Sequence, residues 1–198
     1  MSLLIDKKYE LLEDNIKFIE NIKLYRIRAL CDFGTVIKGD IGGYVETEDN
    51  LSHMGDCWIY DDAHVIGKAK VYENAKVCSD AWICNYAEVF GNALVAGGAH
   101  VYDRAKIYGN ARVYDQARVY NSSKVFGNAE VHGNSRIKSR TKVSKKVTVI
   151  DNNDVVITIT DDEVLVYQCS LYKKNNLPNK YKSILELLNS IERNDDIQ

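Results

Sequence analysis

Proline is almost missing from this chain. Of 198 residues one is proline, Pro178. Proline has no N–H to donate, so its absence from a long stretch leaves that stretch free to form buried ladder strands. Cysteine is sparse and unpatterned: Cys31, Cys57, Cys78, Cys84 and Cys169 are odd in number, and none stands in a C-x-x-C pair. That spacing argues against a disulfide framework and a zinc site, and a reducing cytoplasm is the expected setting. No apolar run reaches the roughly 20 residues that span a bilayer, so no membrane partner is expected. The opening "MSLLIDKKYELLEDN" lacks an apolar core followed by a small-residue cleavage site, so no secretory signal is expected. No paired-carboxylate, nucleophile or metal-ligand motif has useful spacing. "GDIGG" at Gly39–Gly43 has neither Walker spacing nor a following helix, and reads as turn glycine. The expectation is no metal and no cofactor.

What is present is 45% hydrophobic and 27% charged, a folded rather than a disordered composition. The net charge of −2 conceals a pattern: residues 1–56 carry −4, residues 57–150 carry +6 and residues 151–198 carry −4. A basic middle lies between two acidic ends.

That middle repeats every six residues. From Cys57 it divides as "CWIYDD AHVIGK AKVYEN AKVCSD AWICNY AEVFGN ALVAGG AHVYDR AKIYGN ARVYDQ ARVYNS SKVFGN AEVHGN SRIKSR TKVSKK VTVIDN". The first place is small and the third is Val or Ile. The second is mostly polar, and the fifth and sixth favour Gly, Asp and Asn. Strand side chains alternate faces, so places one and three share a face and, being apolar, turn inward. Places two and four turn outward. Places five and six suit a bend, because Gly and Asn tolerate left-handed backbone. A strand that bends every six residues must coil, and three sides per coil stack residues 18 apart. That register aligns Asn74, Asn92, Asn110 and Asn128 at one corner, and Tyr72, Phe90, Tyr108 and Phe126 beside them. Sixteen hexads make about five coils, roughly 25 Å at ordinary strand spacing.

The two ends read as caps, which an open solenoid needs. Residues 1–56 form a small β cap of short strands and turns, and residues 57–152 the coil. In residues 153–198, "DVVITITDDEVLVYQC" reads as a hairpin turning near Asp161-Asp162. "PNKYKSILELLNSIERN" reads as an amphipathic helix with Tyr181, Ile184, Leu185, Leu188 and Ile191 on one face.

The repeat resembles the hexapeptide-repeat proteins, and the resemblance implies an all-β left-handed parallel β-helix of triangular section. Here Tyr, Phe or Cys follows the aliphatic residue where that family often has glycine. A second resemblance covers "LYRIRALCDFGTVIKGDIGGYVETEDNLSHMGDCWIYDDA", Leu24 to Ala63, which is similar to the opening of phage and prophage members of the group. Hexapeptide acyltransferases use a histidine base at a trimer boundary, with acetyl-CoA as donor. On that reading His64 and His100 are the candidates, stacked at 18-residue spacing with Trp82 between them. The array has no inserted loop to close over a substrate, and Trp82 and Arg118 are poor company for a base. The preferred expectation is a non-enzymatic structural or interaction protein, homo-oligomeric and most simply trimeric, that binds an unidentified protein partner. Candidate binding residues are the strip Tyr72, Phe90, Tyr108 and Phe126, with Trp82, and the basic last coil: Arg136, Lys138, Arg140, Lys142, Lys145 and Lys146. That coil offers a surface for an anion or nucleic acid, but it has no recognition helix, so nucleic acid is not the favoured partner.

Overall fold

The computed structural model describes residues 7–145 and, beyond them, the strands Thr148–Asp151, Val156–Ile159, Glu163–Val166 and Ser170–Lys173. It is a parallel β-solenoid. Fifteen two-residue strands run from Trp58–Ile59 to Lys142–Val143, one in each hexad at places two and three. They stack as three parallel sheets, and each coil strand pairs with strands 18 residues away. The first side carries His64–Val65, Trp82–Ile83, His100–Val101, Arg118–Val119 and Arg136–Ile137. The second runs from Lys70–Val71 to Lys142–Val143, and the third from Trp58–Ile59 to Glu130–Val131.

The core is the inward column of places one and three. Ala63 to Ala117 and Ile59 to Val143 are buried at those places, and so are Ser123, Ser135 and Thr141. The hydroxyls inside the prism are satisfied locally: Thr141 donates to the carbonyl of Lys138 at 2.8 Å, and Ser123 donates to Tyr120 at 2.6 Å. Corners follow from backbone conformation. Every fifth place from Asp61 to Ser139 has positive φ, between 53° and 72°. Gly, Asn and Asp dominate there because they enter the left-handed region at least cost.

The N-terminal block does more than cap one end. Strand β1 (Tyr9–Ile19) pairs antiparallel with β2 (Ile22–Ala29), and β2 with β3 (Ile41–Val45). β3 then pairs in parallel with His64–Val65, so the first side has six parallel rungs rather than the five expected. Leu51 bridges to Val71 and starts the second side early as well. The end of the β1–β2 hairpin packs Ile19, Ile22 and Leu24 against Tyr44, Ile66, Trp82 and Cys84 on the outside of the first side. On the third side Trp58, an outward place-two residue, is covered edge-on by Phe33 at 5.4 Å and Tyr9 at 6.2 Å. Asn50 seals the junction. Its amide donates to the carbonyls of Gly67 and Ala69 at 3.0 and 2.9 Å, and its oxygen accepts from the backbone of Glu46 and Thr47.

At the far end the hexad rhythm stops before Asn152. Thr148–Asp151 pairs antiparallel with Val156–Ile159, not in parallel with a coil strand. Val156–Ile159 pairs antiparallel with Glu163–Val166, the hairpin that the sequence suggests, and Ser170–Lys173 completes a four-stranded sheet; the expected turn at Asp161-Asp162 lies outside the described residues. The expected helix over 178–194 lies outside the described residues.

Candidate functional site

The outward residues of each side form columns, because parallel in-register pairing sets each side chain on its counterpart one coil away. The sequence-predicted residues fall into three groups, and the coil does not bring them into one site.

On the first side Tyr44, His64, Trp82 and His100 stack with ring centroids 5.4, 4.8 and 5.9 Å apart. His64 is outward by register but only 3% exposed, because the hairpin lies over it. Its Nε2 is 3.0 Å from Lys17 Nζ, while its Nδ1 has no partner. Lys17 can only donate, so Nε2 is the acceptor and the ring is neutral. Burial and the adjacent Lys17 charge push the His64 pKa down to about 4. His100 is half-buried, and burial and then Arg118 lower its pKa too. Among the described residues no carboxylate is hydrogen-bonded to either ring, so neither has the orienting partner of a general base. Below His100 the columns become Arg118 and Arg136 beside stacked Tyr102 and Tyr120, 4.9 Å apart.

On the second side Tyr72, Phe90, Tyr108 and Phe126 form one continuous stack, with centroids 4.8, 5.0 and 5.3 Å apart and planes within 11° of parallel. All four are half-buried. Their faces are used against one another, so the stack shows ring edges outward. Beside it runs the column Lys70, Glu88, Lys106, Lys124 and Lys142. Burial would raise the Glu88 carboxyl, but hydrogen bonds from Lys106 at 2.8 Å and Tyr72 at 3.0 Å outweigh it and hold it low. Burial and Glu88 raise the Tyr72 hydroxyl in return.

The predicted basic cluster is dispersed. Arg136 and Lys138 lie on the first side, Arg140 at the following corner and Lys142 on the second side, with Lys145 beyond it. Lys146 lies outside the described residues. The asparagine corner forms as a hydrogen-bonded ladder. Asn74 donates to Asn92, Asn92 to Asn110 and Asn110 to Asn128, at 3.2, 3.2 and 3.0 Å. Sequence reasoning missed two partners of the candidate residues, Lys17 above His64 and Tyr44 against its ring. One signal was available: Ile66, Trp82 and Cys84 are apolar at outward places of a single side, as residues under a cover should be.

Among the described residues no group of three or more His, Cys, Asp or Glu is placed to hold a metal, and no helix is long and apolar enough to cross a membrane. No family model matches the chain. Over 62 residues it is 39% identical to a protein of Escherichia coli (strain K12) called the uncharacterized acetyltransferase YdcK; the match covers 28% of this chain and 19% of that protein. The chain therefore matches about a fifth of the length of that relative.

Proposed function

We propose that this chain is a non-enzymatic interaction protein, of the kind phages and prophages encode. It works in the cytoplasm of the bacterial host, assembles as a homotrimer, and uses the flat sides of the prism to hold a protein partner. The observation that carries this reading is the closure of His64: its Nε2 is occupied by Lys17 at 3.0 Å, and the hairpin covers the ring. The other outward surfaces are columns of rings and lysines fixed by the coil, which suit docking rather than proton transfer. Calorimetric titration with acetyl-CoA tests the reading, and no saturable heat is expected. Capture of one host protein at a fixed ratio, lost in Tyr108→Lys, is the positive arm.

The second reading is an acyl-CoA-dependent acyltransferase, and the similarity to YdcK over 62 residues is what favours it. It requires acetyl-CoA at a subunit boundary with His64 or His100 as base. Saturable acetyl-CoA binding that disappears in both His64→Ala and His100→Ala replaces the first reading with this one.

A further inference from the structure

The hexad Ala93–Gly98, "ALVAGG", is the one stretch of the array with neither a polar nor an aromatic side chain. Its place-two residue, Leu94, is paired in register with Lys76 on one neighbouring rung and Arg112 on the other. The missing bulk leaves a groove of about 610 Å³ along the edge of the third side. Leu94 forms its floor, over the buried Ala93, and Lys76 and Arg112 stand over its two ends. Asn74 and Asn92 of the corner ladder make one wall. That volume lies within the roughly 300–1,000 Å³ usual for small-molecule sites.

The chemistry of the lining is specific. Neither Lys76 nor Arg112 belongs to an ion pair among the described residues. They start two rungs apart, roughly 10 Å, a gap their long side chains can close over one group. Each asparagine amide carries two hydrogens, and the ladder uses one from Asn74 and one from Asn92. Asp56 lies at the upper end of the groove, and Glu130 is paired with Arg112 one rung below it. Asp56 repels a second negative charge at its end, so the site suits one anionic head and an uncharged remainder.

We propose that this groove binds a small organic anion, its oxyanion head held between Lys76 and Arg112 and its apolar body laid on Leu94. The site is separate from the ring stacks and does not depend on the reading given above. Phenyl phosphate is the probe, with inorganic phosphate and phenol as controls, followed by calorimetry and by NMR shifts of the Leu94 methyls and the Asn92 side-chain amide. Saturable binding of one phenyl phosphate per chain is expected, with each control about tenfold weaker or worse. Lys76→Ala and Arg112→Ala should each weaken it by about tenfold, and Leu94→Glu should abolish it. All three residues point outward, and an unchanged melting temperature verifies that the variants are folded. The proposal is overturned if no saturable shift appears in the millimolar range, if inorganic phosphate binds as well as phenyl phosphate, or if the Lys76→Ala, Arg112→Ala double variant binds unchanged.

Discussion

The imidazole of His64 is held neutral by two effects of the same sign, burial first and the Lys17 charge second. Its folded pKa, about 4, therefore lies below the ordinary value of 6.5. Protons favour the unfolded chain, so the stability tied to this ring is complete above the unfolded pKa and is lost as pH falls towards the folded one. The melting temperature should drop between pH 6.5 and pH 4, and the drop should be shallower in His64→Phe, which keeps the stack and cannot take the proton. In an NMR titration Lys17→Met should move the ring's pKa upward, though short of 6.5, because burial remains. A wild-type ring that titrates near 6.5 would show that the hairpin does not close over it. Adjacent residues of one rung make a second contrast. Val113 is fully buried and Arg112 is exposed. Val113→Asp puts an unpaired charge in the prism and should prevent folding, whereas Arg112→Asp should leave the melting temperature within a few degrees of wild type.

The rung is the structural unit, and its weakest geometry is the corner. Gly91 has φ +71°, and a Cβ placed there would lie 2.8 Å from the backbone nitrogen of Gly109. Gly91→Ala should cost about 1–3 kcal/mol, from left-handed backbone and contact with a neighbouring coil that cannot yield. Gly67 has φ +72°, but its nearest neighbour would be 3.3 Å away, at Asn85, whose own φ of 63° is accepted without glycine. Gly67→Asn should therefore cost under about 1 kcal/mol. Equal losses in urea unfolding would mean that crowding between coils has no part in the glycine preference. This regularity explains what could be read in advance. The inward pairing of places one and three, the 18-residue stacks and the asparagine ladder all follow from one period applied to one strand geometry. The cover over the first side does not, because the Lys17–His64 contact joins residues 47 apart that no repeat relates. Register shifts in β1 between Leu12 and Ile16 also break the alternation that would have aimed Ile19 and Ile22. The candidate histidines were thus legible as a stack, while the burial of His64 was not.

At the scale of the whole molecule the three sides are unequal. The first is covered by the hairpin near its start and basic farther along; the third carries the groove; the second keeps a half-exposed stack of four rings beside a lysine column. Contiguous exposed apolar strips mark contact surfaces, and ring edges flanked by long alkyl chains make a flat, rigid one. Two copies set second side to second side would oppose their lysine columns, so a two-fold contact there is electrostatically poor. A cyclic arrangement presents this side to a different surface of the next copy and avoids the repulsion, which favours three-fold closure. Light scattering should give three times the 22.5 kDa chain mass at micromolar concentration. The double variant Phe90→Lys, Tyr108→Lys should give the single-chain mass, with the strand signal in circular dichroism retained, since both residues sit at outward places of the coil. A wild-type monomer would remove the trimer and, with it, the subunit boundary that acyl transfer needs. A trimer indifferent to the double variant would keep the assembly and move its contact to another side.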